Sequence, residues 1–245
     1  MPDPLVKLEG VKKSIKKQVV INALDLNVER GQILALCGGN GAGKSTILRM
    51  IAGISQPDSG IIAVQGLRWK EDRKRYAELI GYMPDDFRFG TGLTAYETLA
   101  FWASLRGVPK LRVLKVLEEV GLADTGKKSV SSFSKGMRQR VLFAQALLAK
   151  PPIVLMDEPT NGLDPYWIET FVRMVKEIAA NGQTVIFSTH QLHVAEALAN
   201  RIALLRGGHI ELEGSSVQIR EQLGARGLQD AFAEWFGLTG SLNGF

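Results

Sequence analysis

Cysteine is nearly absent: Cys37 is the only one in 245 residues. A single thiol excludes an internal disulfide framework and suits a reducing compartment. Because Cys37 lies within an apolar run, it reads as a small buried hydrophobe rather than a reactive group. Long hydrophobic runs are missing too. No stretch approaches the roughly 18–20 apolar residues that a bilayer span requires. The opening MPDPLVKLEG lacks the apolar core of a signal peptide, so a cytosolic chain without its own membrane anchor is expected. Neither an internal repeat nor a low-complexity tract is present, which sets solenoid and tail-like architectures aside. Charge of one sign is only mildly in excess, with 30 Lys and Arg against 25 Asp and Glu, net +5. The densest basic runs are KKSIKK (Lys12 to Lys17) and KEDRKR (Lys70 to Arg75). Acids interrupt the second, so both read as solvated surface, and no nucleic-acid partner is expected.

What the chain does have is a series of short apolar runs ending at turn residues: ILALC (Ile33 to Cys37), IVLM (Ile153 to Met156) and TVIFS (Thr184 to Ser188). They lack polar–apolar alternation, the pattern of strands buried on both faces of a mainly parallel sheet. Helical patterns follow them. Ile47, Leu48 and Ile51 share one face after Ser45. Beyond Asp164, Pro165 suits a first helical position, and Ile168, Phe171, Val172, Val175 and Ile178 run on to a stop at Asn181-Gly182. Strand–helix alternation of this kind predicts an α/β core. The middle of the chain differs. Thr94-x-x-Glu97 has the form of a capping box ahead of a helix through Leu105. A second helix is expected from about Pro109 to Val120 and a third after Ser134. The expected organisation is one domain, with a core built from 1–85 and 151–213 and a helical insertion at 86–150. A helical tail at 214–245 would include one short amphipathic helix in GLQDAFAEWFGLTG.

The motif GGNGAGKST runs through Gly38, Gly39, Asn40, Gly41, Ala42, Gly43, Lys44, Ser45 and Thr46, and satisfies G-x-x-x-x-G-K-[ST]. A buried strand precedes it and a helix follows, as a phosphate cradle requires. Glycines permit a tight loop whose N–H groups point inward. Lys44 reaches the β and γ oxygens of a nucleotide, and the Ser45 hydroxyl suits Mg²⁺. IVLMDEP then carries Asp157 to the carboxyl edge of the sheet, where it can hold Mg²⁺ through water. Glu158, next in sequence, is placed to deprotonate an attacking water. His190 follows a third core strand on the same edge, which favours contact with the γ-phosphate. A further turn, SSFSKGMRQR (Ser131 to Arg140), places Ser134 and Gly136 at a helix N-terminus with Lys135, Arg138 and Arg140 alongside, a second grip for an anion.

Taken in order, Gly38–Thr46, Ser134–Gly136, Asp157–Glu158, Asp164 and His190 resemble the motifs of the ATP-binding-cassette (ABC) ATPase family over roughly residues 5 to 213. FSKGM stands in place of that family's signature, NGLD in place of its D-loop, and STHQ in place of its switch histidine. The resemblance implies a P-loop NTPase core with a mainly parallel sheet, a small N-terminal antiparallel β region and an inserted α-helical subdomain. It also implies a head-to-tail dimer that sandwiches two ATP molecules with Mg²⁺. Ser134, Lys135 and Gly136 would then grip the γ-phosphate held by the other subunit, and Asp164 would lie at the same interface. The second subunit would be another copy or a related ATPase. Three positions depart from the family pattern. Ile15 stands where an aromatic usually covers adenine, giving apolar contact without π-stacking. Asp85, in Tyr82-Met83-Pro84-Asp85, replaces a glutamine and could accept bonds from Mg²⁺-bound water. Lys135 and Met137 replace Gly and Gln in the signature. S-K-G-M-R-Q-R, with a tail resembling L-E-D-x-F-x-x-x-T-G that has Gln229 in place of the acid, is similar to a branch serving separate permeases. The implied protein is an ATPase subunit held at the inner face of the cell membrane by an integral membrane permease, in an exporter. A soluble ATPase of an assembly system, such as iron–sulfur cluster biogenesis, shares the same catalytic parts and is the competing class.

Overall fold

The structure is a computed structural model that describes residues 3–90, 92–223, 229 and 232. In chain order the elements are β1 (Val6–Ile15), β2 (Gln18–Val28), β3 (Ile33–Gly38), α1 (Lys44–Ile51), β4 (Ser59–Val64), α2 (Arg73–Glu78) and β5 (Ile80–Met83). There follow α3 (Ala95–Leu105), α4 (Lys110–Glu119), α5 (Lys135–Leu147), β6 (Ile153–Met156), α6 (Pro165–Ala180) and β7 (Thr184–Thr189). The described chain closes with α7 (Leu192–Leu198), β8 (Arg201–Arg206), β9 (His209–Gly214) and α8 (Ser216–Leu223). The amphipathic helix expected in 227–240 lies outside the described residues, apart from Gln229 and Phe232.

Two sheets carry the architecture. A three-stranded antiparallel sheet has the order β2-β1-β4, and a six-stranded sheet has the order β5-β6-β7-β3-β8-β9. Within the larger sheet β5 through β8 run parallel, and β9 alone is antiparallel, paired with β8. The β8–β9 hairpin carries little signal in the sequence, because β9 is a half-buried edge with no continuous apolar run.

Burial on both faces accounts for the unbroken apolar runs. Along β3, Ile33, Ala35 and Cys37 join one hydrophobic cluster while Leu34 and Leu36 join another. One cluster lies between the six-stranded sheet and the helices α3 to α7; the other lies between that sheet, α1 and the antiparallel sheet. Residues of the helical insertion, such as Val116 and Val130, belong to the same cluster as Val154 and Phe187 of the sheet. Close backbone contact makes that junction tight. A Cβ on Gly81 of β5 would stand 2.1 Å from the carbonyl oxygen of Ala146 in α5. Arg112 of α4 donates to the carbonyls of Leu147 and Leu148, satisfying acceptors that the end of α5 leaves over.

The start signals read from the sequence are present. Thr94 and Glu97 form a reciprocal capping box on α3: the Glu97 N–H donates to Thr94 Oγ1 at 3.1 Å, and the Thr94 N–H to Glu97 Oε2 at 2.9 Å. Asp164 caps α6 through the Trp167 N–H, with Pro165 in the first turn.

Candidate active site

Strand order explains how residues far apart in sequence meet. Strands β6, β7 and β3 are consecutive neighbours. Their carboxyl ends therefore deliver Asp157 and Glu158, then His190, then the Gly38–Thr46 loop, to one stretch of sheet edge. In an open α/β sheet this is the edge that binds ligands.

The loop needs its glycines. Gly43 has φ +101° and forms the N-terminal boundary of α1, while a Cβ on it would stand 2.4 Å from Ile21 Cδ1. Gly38 is packed so closely that its Cβ would lie 2.7 Å from the Leu205 carbonyl oxygen. Only glycine serves both positions. Lys44, buried at the first position of α1, donates to the carbonyls of Gly38 at 2.7 Å and Gly39 at 3.2 Å. Its ammonium stands 3.6 Å from Glu158 Oε1. The other Glu158 oxygen, Oε2, lies 2.9 Å from His190 Nδ1. A carboxylate only accepts, so this bond selects the tautomer with the proton on Nδ1.

Beside this group is the acidic partner of Ser45. Asp157 Oδ1 accepts from Ser45 Oγ at 2.8 Å and from Ser188 Oγ at 2.7 Å. Ser188 in turn accepts from the Glu158 N–H at 2.9 Å. Sequence reasoning missed Ser188, treating it as the end of an apolar strand; a hydroxyl in a fully buried run was the available signal. Asp157 Oδ2 is buried and has no hydrogen-bond partner. A carboxylate oxygen left over beside a serine hydroxyl fits Mg²⁺, which takes one or two protein oxygens and fills its octahedron with phosphate and water. Among the described residues, no group of three or more His, Cys, Asp or Glu side chains suits a metal.

Lys44, Ser45, Asp157, Glu158 and His190 thus form one connected group. The other expected residues are placed differently. Ser134 caps α5, accepting from the Met137 N–H at 3.2 Å. Lys135 lays its aliphatic stem over Gly162, and a Cβ on Gly136 would stand 2.7 Å from the Gly162 carbonyl oxygen. The signature turn therefore packs on the loop that carries Asp164. Arg138 and Arg140, expected beside it as anion contacts, turn into the fold instead. Arg138 donates to the Phe133 carbonyl, while Arg140 donates to the carbonyls of Val120 and Gly121 and stacks 3.9 Å over the Trp167 ring. Both guanidiniums find carbonyl acceptors close by, which fixes them as braces of the insertion. Ile15 ends β1 at a hairpin tip, 48% exposed, and β2 continues into Val20 and Ile21 against Gly43. Asp85 engages protein partners: its Oδ1 accepts from Asn161 Nδ2 and its carbonyl from Gln139 Nε2. Cys37 is buried beneath the loop, and desolvation pushes its thiol up to about 12.

A phosphate cradle on one strand, an Asp–Glu pair on a second and a histidine on the strand between them define a P-loop nucleoside triphosphatase. The particular family follows from likeness to known proteins. The model of the ABC transporter family matches residues 21–161. The chain is 34% identical over 224 residues to the linearmycin resistance ATP-binding protein LnrL of Bacillus subtilis, covering 90% of this chain and 72% of that one. It is 35% identical over 220 residues to the methionine import ATP-binding protein MetN of Brucella abortus, covering 86% of this chain and 60% of that one. A solved dimeric ATP-binding cassette in a post-hydrolysis state, with ADP and Pi bound, superposes with a TM-score of 0.79 at 28% identity, covering 86% of this chain and 98% of that one. The chain belongs to the ABC transporter family, as an ATP-binding subunit whose reaction is ATP hydrolysis. Among its described residues no helix is long and apolar enough to cross a membrane.

Proposed function

We propose that this chain closes head-to-tail with a second copy, or a related ATPase, around two ATP molecules, and that closure and hydrolysis drive a separate membrane permease. The observation that carries the catalytic part is the Lys44–Glu158–His190 group beside the uncommitted Asp157 Oδ2. The backbone of Gly38–Thr46 cradles the phosphates, and Lys44 neutralises the β and γ oxygens. Ser45 and Asp157 would hold Mg²⁺, which would supply charge neutralisation on the phosphates. Glu158 takes a proton from the attacking water as its oxygen bonds to the γ-phosphorus and the bond to the bridging oxygen breaks. His190 orients the γ-phosphate. Ser134, Lys135 and Gly136 contact the γ-phosphate of the partner's site, with Asp164 at the same interface; Ile15 lies against the base.

For the permease the supporting feature is an apolar groove of about 340 Å³ lined by Ile54, Gly81, Tyr82, Phe87, Trp102 and Arg106. Ile54 is 62% exposed and Phe87 39% exposed. The groove lies between the sheet edge at β5 and the helical insertion, and its occupant in this reading is a cytoplasmic helix of the permease. Phe87 is two residues from Asp85, which bonds the segment after Glu158, so a helix seated there presses on the catalytic loop. That attachment holds the chain at the inner membrane face. We read the direction as export, on the S-K-G-M-R-Q-R resemblance and the resistance relative. A relative named for import makes uptake the alternative outcome. Relatives named as transport proteins lend no support to the soluble assembly class. In this reading the single domain divides into a nucleotide-binding core of 1–85 and 151–213, a helical subdomain of 86–150 and a tail of 214–245.

The test is the solution mass of Glu158→Gln by light scattering, with and without Mg-ATP. Removing the base while keeping the shape is expected to slow turnover at least about 100-fold and to trap an ATP-dependent dimer. A monomer with ATP bound at saturation would overturn closure between identical subunits.

A further inference from the structure

Glu158 has φ +48°, a left-handed conformation that a non-glycine residue holds only when its surroundings over-determine it. Two backbone bonds restrain it. Its N–H donates to Ser188 Oγ at 2.9 Å, and its carbonyl accepts from the Asn161 N–H at 3.1 Å. The second restraint depends on where Asn161 sits, and the Asn161 side chain is held in turn: its Nδ2 donates to Asp85 Oδ1 at 3.1 Å. Asp85 is itself tied to α5 through its carbonyl, which accepts from Gln139 Nε2 at 3.1 Å. Three segments distant in sequence therefore meet at Asp85: the loop after β5, the helix behind the signature turn, and the turn that follows β6.

The geometry points to Asp85 as a positioning residue for Glu158, acting through Asn161. It holds the strained turn in the conformation that aims the Glu158 carboxylate at His190 and at the attacking water. The assignment rests on Glu158 being the base, as proposed above, and it differs from a role for Asp85 on Mg²⁺-bound water. The two roles have different consequences. A water ligand acts on the metal and needs no Asn161. A positioning group works only as half of a pair, and the pair tolerates any acceptor of the same length at position 85. Asparagine offers such an acceptor in its amide oxygen.

Asp85→Ala, Asn161→Ala, the double variant and Asp85→Asn should be compared for kcat, KM for ATP, the Kd of ATP and the Mg²⁺ concentration at half-maximal rate. Each alanine variant is expected to lower kcat about tenfold while KM and Kd stay within about twofold, because a misaimed base affects the chemical step and not binding. The double variant should be no slower than the slower single variant, since both break one link. Asp85→Asn should recover kcat to within about twofold of the parent, and no variant should shift the Mg²⁺ requirement. A raised Mg²⁺ requirement in Asp85→Ala but not in Asn161→Ala would make Asp85 a metal-water group and overturn the inference. Additive losses in the double variant, or full kcat in either alanine variant, would overturn it equally. Glu158→Gln assayed alongside keeps the two layers apart: if that variant retains turnover, the base assignment has failed rather than the Asp85–Asn161 link.

Discussion

At the scale of single residues, the site is a network of mostly buried polar groups that bond one another and leave one oxygen, Asp157 Oδ2, without a partner. Ser188 illustrates it, donating to Asp157 and accepting from the Glu158 backbone. Removing such a hydroxyl leaves a buried N–H without its acceptor, at a cost of about 1–3 kcal/mol. Ser188→Ala should therefore lower unfolding stability by about that amount in denaturant titration and slow ATP turnover about tenfold. Unchanged turnover would make Ser188 an ordinary strand residue. Cys37 gives a different expectation. Desolvation raises its thiol from 9.0 to about 12 in the fold, so the folded state keeps the proton that the unfolded chain releases above pH 9. The contribution of this group to stability is unchanged well below pH 9 and is lost progressively from there toward pH 12, by up to about 1.4 kcal/mol per pH unit. The pH dependence of chemical denaturation above pH 9 should be shallower in Cys37→Ala than in the parent. Equal slopes would show that other groups set the alkaline limit. The Asp–Glu pair, the lysine and the histidine were all legible in the chain because each stands at a fixed offset from an apolar run. Ser188, Asn161 and Gln139 stand inside quoted stretches, but their bonds to Asp157, the Asp85 side chain and the Asp85 carbonyl join segments far apart in the chain, which no local pattern announces.

Among the elements, the helix starts were the most legible features. Thr94, Ser134 and Asp164 each accept from a backbone N–H three residues on, and the residue type alone announces that role. The signature turn also shows what an element borrows from its neighbour. Gly136 faces the Gly162 carbonyl at a distance that admits no side chain, and Lys135 covers Gly162 with its stem. Gly136→Ala is expected to push the signature turn off the Asp164 loop. Turnover should fall about tenfold or more while monomer affinity for ATP stays near that of the parent, since the cradle is on another loop. Isothermal titration beside a steady-state ATPase assay separates the two; a matching loss of affinity would show that the turn supports the cradle of its own chain. Arg138 and Arg140 mark the limit of reading elements from composition. Their sequence position beside a helix N-terminus suggested anion contacts, but carbonyl oxygens of Phe133, Val120 and Gly121 lie nearer and claim them.

For the whole molecule, the glycine-rich loop after β3 and the Ser134–Gly136 turn fall into separate groups, the second on α5 against the Asp164 loop. In the proposed assembly each serves a different active site. Ser134→Arg is expected to leave ATP binding by the monomer nearly intact and to prevent the ATP-dependent dimer in a Glu158→Gln background, as read by light scattering. Loss of monomer binding would place Ser134 at the cradle of its own chain and remove the head-to-tail arrangement.

The apolar runs, the glycine-lysine-serine loop, the acidic pair and the caps are local in sequence, and local sterics and periodicity are enough to determine a P-loop α/β core and its phosphate-binding chemistry. Strand order is not local. The adjacency of β6, β7 and β3, which brings Glu158, His190 and Lys44 within bonding distance, comes from crossover connections that bury both faces of the central sheet. The same holds for the link from Asp85 to Asn161 and for the bonds of Arg140 to the Val120 and Gly121 carbonyls. Those contacts exist only once the packed core has placed donors and acceptors from distant segments side by side, where burial leaves each of them no better partner.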